Sequence, residues 1–146
     1  MGIQTTDADE IFEIVFLPST TLEQTPANTF AVHAAEQIQA YLGNPHYPFK
    51  LPLAQRGTDF QRRVWRGIAR IPAGQVQTYG ALAKCIGGNA RAVGQACGSN
   101  PFPLVIPCHR VISAQGIGGF AHAKEGWLIT TKQHLLAHEC AAGTLL

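Results

Sequence analysis

The sequence has few charges and no long apolar run. Charged residues make up 14% of the 146-residue chain, apolar residues make up 46%, and the net charge is +2 with histidine neutral. This balance is typical of a globular chain and excludes a disordered one, and it neither proves nor excludes a nucleic-acid partner. No apolar run approaches the ~20 residues that a transmembrane helix requires, and residues 1–10 are polar and acidic, unlike a signal peptide. We therefore expect no membrane association and a cytoplasmic location.

The cysteines are few and show no paired spacing. The four cysteines are Cys85, Cys97, Cys108 and Cys140, and they form no CxxC motif. Their spacing matches no metal-ligand pattern, so we expect no metal site and no cofactor. Free thiols are the expectation in a reducing cytosol. We interpret Cys85 and Cys140 as packing residues.

The length suits one domain, or one domain with a small appendage. In the first part, residues 1–52, a β-branched and aromatic run predicts a strand over 11–17. Helical spacing of apolar residues predicts a helix over 28–42, and a proline-rich linker follows over 44–52. This segment is too short to be confidently independent of the second part, residues 53–146.

The second part begins with an amphipathic helix. Thr58 and Gln61 have capping-box spacing. Arg62, Arg66 and Arg70 recur on one face, a pattern more typical of a solvated, salt-bridged surface than of phosphate contacts.

A pair of short helices follows, with the spacing of a helix-turn-helix. Thr78 can cap a helix over 79–86, and Asn89 can cap a second helix over 90–99. Many helical hairpins bind nothing, so this signal alone is weak. The second helix carries Arg91 among small residues, namely Ala90, Ala92, Gly94, Ala96 and Gly98. Such a slim helix could enter a narrow DNA groove or pack closely against another helix, and the pattern does not decide between these two.

Cys108 lies at the centre of the stretch 104–112. An apolar run and Pro107 precede it, and His109 and Arg110 follow directly. A thiol attacks only as its thiolate, and an unperturbed cysteine with a pKa of ~8.5 is mostly protonated at neutral pH. Local cations and a base would correct this, and the stretch carries candidates for both. The alternative is a buried structural cysteine at the end of a strand.

Several motifs occur together in a recognisable order. The sequence shows 58–65 (TDFQRRVW), Thr78-Tyr79-Gly80, 90–94 (ARAVG), Asn100-Pro101, 107–110 (PCHR) and 135–139 (LLAHE). Together they resemble the O6-alkylguanine-DNA alkyltransferases, also called methylated-DNA–protein-cysteine methyltransferases. The resemblance covers roughly residues 57–139, and the Pro-Cys-His-Arg motif within this order is highly specific.

The resemblance implies an α+β fold. Its C-terminal domain would be mostly helical, with the helix-turn-helix and a short active-site strand, and the N-terminal strand/helix segment would be shortened. The partner would be double-stranded DNA containing alkylated guanine, bound through the minor groove by a monomer that associates with the nucleoid. Arg91 would fill the position of the flipped nucleotide. Ala90, Ala92 and Gly94 would face the DNA.

The resemblance also implies a reaction, repair of DNA by direct damage reversal. Cys108 would accept the alkyl group of O6-alkylguanine, and of O4-alkylthymine, in a single turnover. His109 would take the thiol proton through a water, and Glu139 would orient the imidazole. Tyr79 would help rotate the nucleotide and hydrogen-bond the ring N3 of the flipped guanine.

Further positions follow from the same motifs. Asn100 would be the hinge between the helix-turn-helix and the active-site strand, and Arg110 would pair with a carboxylate behind the site. The pocket residues would be Cys97, Val111, Phe120, Ala121 and Lys132.

The chain also departs from the family pattern. Phe120 replaces the usual tyrosine, and the segment from Phe120 to Leu135 is longer than in the family, so we expect a wider or more mobile pocket rim. The N-terminal segment lacks the cysteines of the thiolate zinc site that some members carry.

Two alternatives belong to other classes. A non-enzymatic sensor of alkylated DNA would recruit other repair proteins, but relatives of that kind replace the acceptor cysteine. A Cys-His hydrolase would need an oxyanion hole and repeated turnover.

Overall fold

The computed structural model describes residues 1–140, and its first elements form a small hairpin and a helix. Strand β1 (Gly2–Thr5) pairs antiparallel with β2 (Ile11–Val15), and helix α1 (Thr29–Gly43) follows. Asn28 caps α1, because its Oδ1 accepts a hydrogen bond from the Ala31 amide at 2.8 Å. The sequence analysis missed β1, whose four residues carry too little pattern, and it extended β2 by two residues beyond Val15.

Helix α2 (Asp59–Ala69) begins at the predicted capping box. The Gln61 amide donates to Thr58 Oγ1 at 3.1 Å, and the Thr58 amide donates to Gln61 Oε1 at 2.9 Å. Trp65 is buried, and its Nε1 donates to the Ala96 carbonyl at 2.8 Å. This bond ties α2 to a later helix of the helix-turn-helix.

The helix pair has the predicted positions. Strand β3 (Gln77–Thr78) leads into α3 (Tyr79–Ile86), and α4 (Ala90–Gly98) follows the turn. Thr78 and Asn89 cap the two helices with side-chain hydrogen bonds of 3.1 and 2.8 Å.

The small residues of α4 serve different faces. Ala96 is buried beneath Trp65 of α2. At this position the small residue allows close packing against another helix, one of the two alternatives given by the sequence. Ala90 is exposed, whereas Ala92 and Gly94 are half-buried.

The alternative in which Cys108 ends a strand was wrong. Residues 103–105 form a turn, with Leu104 at a φ of 73°, and Cys108–Arg110 is a single turn of 3₁₀-helix. Pro103 and Pro107 lack the amide hydrogens that a strand would contribute to a sheet, so a buried apolar run here bends instead. The strand β4 (Val111–Ile112) follows and pairs parallel with β3.

The last helix, α5 (Trp127–Cys140), begins earlier than the predicted start near residue 131. The predicted end at residue 142 lies outside the described residues. Cys85 is exposed, so its interpretation as a packing residue was wrong, and Cys140 is half-buried. Within residues 1–140, no helix is long and apolar enough to cross a membrane.

The N-terminal segment shares one hydrophobic core with the rest. Ile11 and Ile14 belong to the same buried cluster as Val64 and Val111. The Ile14 amide donates to the Pro101 carbonyl at 2.8 Å, and the Ile11 amide donates to that of Pro52 at 2.8 Å. The fold is α+β, as predicted, and the boundary between residues 52 and 53 stays a prediction.

Candidate active site

Cys108 begins the 3₁₀-turn and is 7% exposed. Burial raises the pKa of its thiol, although a hydrogen bond from Asn100 and the charge of Lys132 act in the opposite direction. The thiol is therefore protonated at neutral pH, and attack requires a base. The cation that acts on the sulfur is Lys132, not the adjacent Arg110 that the sequence offered.

His109 is fully buried, and its Nε2 lies 2.8 Å from Glu139 Oε2. Burial alone would raise the pKa of the Glu139 carboxyl, but hydrogen bonds from His109 and Arg110 lower it well below its ordinary value. An ionised carboxylate only accepts hydrogen bonds, so Nε2 carries the imidazole proton and Nδ1 has the lone pair. Burial lowers the pKa of His109, although Glu139 opposes this, so the ring is neutral.

The Nδ1 atom of His109 is a buried base. Among residues 1–140 it is the one buried side-chain nitrogen or oxygen without a hydrogen-bond partner. Buried polar atoms are almost always hydrogen-bonded in folded proteins, so an Nδ1 without a partner on the residue that follows Cys108 indicates a function. This atom can accept the thiol proton.

Glu139 is held by more groups than the sequence indicated. Arg110 donates to it from Nη2 at 2.8 Å and from Nε at 3.0 Å, and also donates from Nη1 to the Ile71 carbonyl at 2.6 Å. This geometry agrees with the prediction that Arg110 pairs with a carboxylate behind the site. The Tyr41 hydroxyl, from α1, donates to Glu139 Oε2 at 2.8 Å.

Tyr41 was missed by the sequence analysis. Its position among the apolar residues of α1 indicated core packing, and the ring is indeed buried. No local pattern could pair it with Glu139, which lies 98 residues away.

A cleft opens above Cys108. One wall is the face of α4 with Arg91, Gly94, Gln95 and Gly98, and the opposite wall consists of residues 119–124. Cys97 and Cys108 line the cleft between these walls, and Tyr79 also contributes. Of the predicted DNA contacts, Arg91 is exposed on the wall formed by α4.

We call residues 119–124 the outer wall of the cleft. Tyr79 and Lys132 hold its inner end, at Gly119. Lys132 Nζ donates to the carbonyls of Val111, Ile117 and Gly119 at 2.7, 2.7 and 2.8 Å. The Tyr79 hydroxyl donates to the Gly119 carbonyl at 3.5 Å. Burial raises the pKa of Tyr79 to about 12 and lowers that of Lys132 to about 8. At pH 7 Tyr79 is therefore a neutral donor and Lys132 is a cation.

Two predicted pocket residues do not line the cleft. Val111 is 0% exposed and contributes its carbonyl to Lys132, and the Lys132 side chain is itself buried beneath the loop. Three other predicted residues, Cys97, Phe120 and Ala121, do line it. Burial raises the pKa of Cys97 to about 12, so its thiol is protonated at neutral pH.

Asn100 spans the turn before the nucleophile. Its Nδ2 donates to the Ile106 carbonyl at 2.8 Å, and its Oδ1 accepts from the Phe102 amide at 2.9 Å. These side-chain-to-backbone bonds join the end of α4 to the 3₁₀-turn. Within residues 1–140, no three His, Cys, Asp or Glu side chains are grouped so that they could hold a metal ion.

Comparisons with known proteins show which family the chain is similar to. A family model described as 6-O-methylguanine DNA methyltransferase, DNA binding domain, matches residues 59–141. The methylated-DNA–protein-cysteine methyltransferase of Mycolicibacterium paratuberculosis is 45% identical over 107 residues, which are 69% of this chain and 65% of that relative. A probable methyltransferase of the same name from Acanthamoeba polyphaga mimivirus is 34% identical over 82% of this chain and 80% of its own length.

Solved structures show the same fold. The crystal structure of Mycobacterium tuberculosis OGT in complex with DNA has a TM-score of 0.78 and 35% identity, covering 94% of this chain and 85% of that one. The chain spans 65% of the length of the mycobacterial relatives that it matches. Because the family model covers more than half of the residues, the chain belongs to the 6-O-methylguanine DNA methyltransferase family.

Proposed function

We propose that this protein repairs DNA by transferring the alkyl group of O6-alkylguanine, and of O4-alkylthymine, to Cys108 in a single turnover. One observation carries the proposal: Cys108 lies at the base of an open cleft while its neighbour His109 keeps a buried, unpaired Nδ1 lone pair. A protonated thiol beside a neutral, oriented imidazole is the arrangement that nucleophilic attack requires.

The reaction is a single displacement. The Cys108 Sγ forms a bond to the alkyl carbon as the bond from that carbon to guanine O6 breaks, and the electron pair moves onto the base. The thiol proton passes to His109 Nδ1 through a water, and the restored guanine takes up a proton at N1 from solvent. Glu139 stabilises the imidazolium that forms. The thioether is stable, so each molecule acts once.

The leaving base gains negative charge, and the cleft offers donors for it. Tyr79 keeps its proton because its pKa is about 12, so its hydroxyl can donate to ring N3 of the guanine. Lys132 adds a positive charge beneath the loop, 6.0 Å from the Tyr79 ring. Asn100 holds the turn that carries the sulfur in place.

The damaged base must leave the duplex to reach the cleft, at a cost of a few kcal/mol. Arg91 is exposed at the edge of the cleft and can occupy the vacated position. The bare surface of Ala90, Ala92 and Gly94 lets α4 approach a minor groove closely. In this proposal the protein acts as a monomer, without a cofactor, on double-stranded DNA in the cytoplasm or nucleoid. Residues 53–146 carry the site, and residues 1–52 support it.

Mass spectrometry tests the proposal directly. We expect incubation with a duplex containing O6-methylguanine to add one methyl group to the Cys108 peptide, with no turnover beyond one equivalent. The Cys108→Ser variant should accept no methyl group but still bind the duplex, because a hydroxyl is a far weaker nucleophile than a thiolate.

Cys85→Ser is the matched control, since Cys85 is exposed and lies outside the cleft. It should be methylated at Cys108 like the wild-type protein. Duplex binding by the wild-type protein without a mass change would instead favour the sensor, and repeated turnover of a small ester would favour the hydrolase.

A further inference from the structure

The outer wall of the cleft ends in a tight hairpin. The Phe120 amide donates to the Ala123 carbonyl at 2.9 Å, and the Ala123 amide donates back at 2.8 Å. The two tip residues, Ala121 and His122, have φ values of 50° and 66°. A two-residue turn of this kind favours Asn-Gly, because both positions are left-handed. Two residues with side chains are therefore strained here, and a contact must hold them.

That contact is made by His122 across the cleft. Its imidazole lies directly over Gly98, the last residue of α4, where an added Cβ would be 2.5 Å from Nδ1. The Nε2 of His122 is 3.3 Å from Ser99 Oγ. We call the contact of His122 with Gly98 and Ser99 the His122 clip. It joins the two walls between which a base would have to enter.

The clip is the weaker of two attachments of the outer wall. At the inner end, Gly119 is fixed by the buried ammonium of Lys132 at 2.8 Å. At the outer end, both His122 and Ser99 are exposed, so their hydrogen bond competes with water. If one end of the wall moves, it is the end that the clip holds.

We infer that the His122 clip is a specificity-determining contact: it holds the hairpin against α4 and so limits the size of the group that reaches Cys108. That the clip sets the width of the cleft follows from the contacts alone. That the clip favours transfer of a methyl group over a bulky, flat group such as benzyl rests on the proposed function.

The first test needs no DNA. The Cys108 thiol would be labelled with small iodoacetamide or with a bulky aryl maleimide, and peptide mass spectrometry would separate Cys108 from the exposed Cys85. In His122→Ala, labelling of Cys108 by the maleimide relative to iodoacetamide should rise roughly five-fold, which corresponds to about 1 kcal/mol. Ser99→Ala should give a smaller rise, because it removes only the hydrogen bond.

Gly98→Ala opens the clip from the opposite wall. The new methyl group occupies the place of the imidazole, whereas the helical backbone at residue 98 accepts alanine, so the protein stays folded. Its relative labelling should rise as in His122→Ala, and the double variant should add little, because both changes break one contact. Gly43→Ala is the control, since an added Cβ there meets no atom within 4 Å.

The second test uses duplexes containing O6-methylguanine or O6-benzylguanine. The ratio of benzyl to methyl transfer should be higher in His122→Ala and in Gly98→Ala than in the wild-type protein. Unchanged labelling and transfer ratios in both variants would overturn the inference. If the wild-type protein accepts no methyl group, the proposed function fails, while the labelling result still decides whether the clip sets the width of the cleft.

Discussion

Behind Cys108, the Glu139 carboxylate is 1% exposed and accepts hydrogen bonds from Tyr41, His109 and Arg110, whereas in front of it an exposed hairpin is held by His122. The first region is a charged network with every group fixed, and the second is a strained turn with one surface contact. Hydrogen bonds to buried charges are worth more than exposed ones between neutral groups.

The difference separates two requirements of one site. Proton removal depends on the position and protonation of His109, which a rigid buried network can fix. Admission of a base depends on the width of the cleft, which can vary without disturbing the proton chemistry, because His122 shares no hydrogen bond with His109 or Glu139 among the described residues. Changes behind the sulfur should therefore reduce rate and stability together, and changes in front should mainly alter selectivity.

Glu139→Gln should have the largest effect. It removes the only carboxylate that faces Arg110 within residues 1–140 and places an amide nitrogen among the donors. Breaking a buried ion pair by removing one partner costs about 3–5 kcal/mol. We expect a loss of that size in urea unfolding. Methyl transfer should slow by about two orders of magnitude, the lower end of a general-base contribution.

Glu36→Gln provides the control for the same chemical change. Glu36 is 67% exposed, and its Oε2 lies 3.9 Å from His33 Nδ1. Its unfolding midpoint and transfer rate should match the wild-type values. If Glu139→Gln unfolds at the same urea concentration as Glu36→Gln, the network behind the sulfur does not contribute the ~3–5 kcal/mol expected of a buried ion pair.

Tyr41→Phe should have an intermediate effect and tests the link from α1 to the site. Losing a hydrogen bond to a charged group costs about 1.5 kcal/mol. With one donor fewer, more of the Glu139 charge acts on the imidazolium form of His109, so the pKa of His109 should rise. The acid limb of the transfer rate should then move to higher pH, since only neutral imidazole can accept the thiol proton.

Tyr47→Phe is the matched control. Tyr47 is half-buried and packs against Phe49, and its hydroxyl makes no hydrogen bond within residues 1–140. Its pH profile should equal that of the wild-type protein. A purely structural role of Tyr41 would lower stability in Tyr41→Phe and leave the acid limb in place.

The sequence predicted the two regions unequally. Cys108, His109 and Arg110 are neighbours in the chain, and the order of motifs added Glu139, so most of the buried network was predicted. Tyr41 was not, because its hydroxyl meets Glu139 only after α1 packs on α5. Local capping signals at Thr58, Thr78 and Asn89 placed α2, α3 and α4 correctly, since each cap is a bond within four residues.

The structure of the outer wall could not be predicted from the sequence, for a different reason. Ala121 and His122 lack the Asn-Gly pattern of their turn, so nothing local indicated a hairpin. The sequence analysis expected a wider or more mobile pocket rim. It did not predict the contact of His122 with Ser99, which forms only when the end of α4 meets the loop that carries His122. The alternative that placed a strand before Cys108 was wrong because burial was inferred correctly but hydrogen bonding was not, given the prolines at 103 and 107.

Ala121→Gly should have the smallest effect on stability and measures the strain of the outer wall. A left-handed residue with a side chain costs about 1–2 kcal/mol, and glycine costs about 0.5–1 kcal/mol in backbone entropy, so the two nearly cancel or leave a small gain. Ala114→Gly, in an exposed loop where φ is not positive, should show only the entropic loss. Urea unfolding of both variants separates these contributions. Equal losses would mean that the hairpin stores no strain, and the His122 clip would then have nothing to oppose.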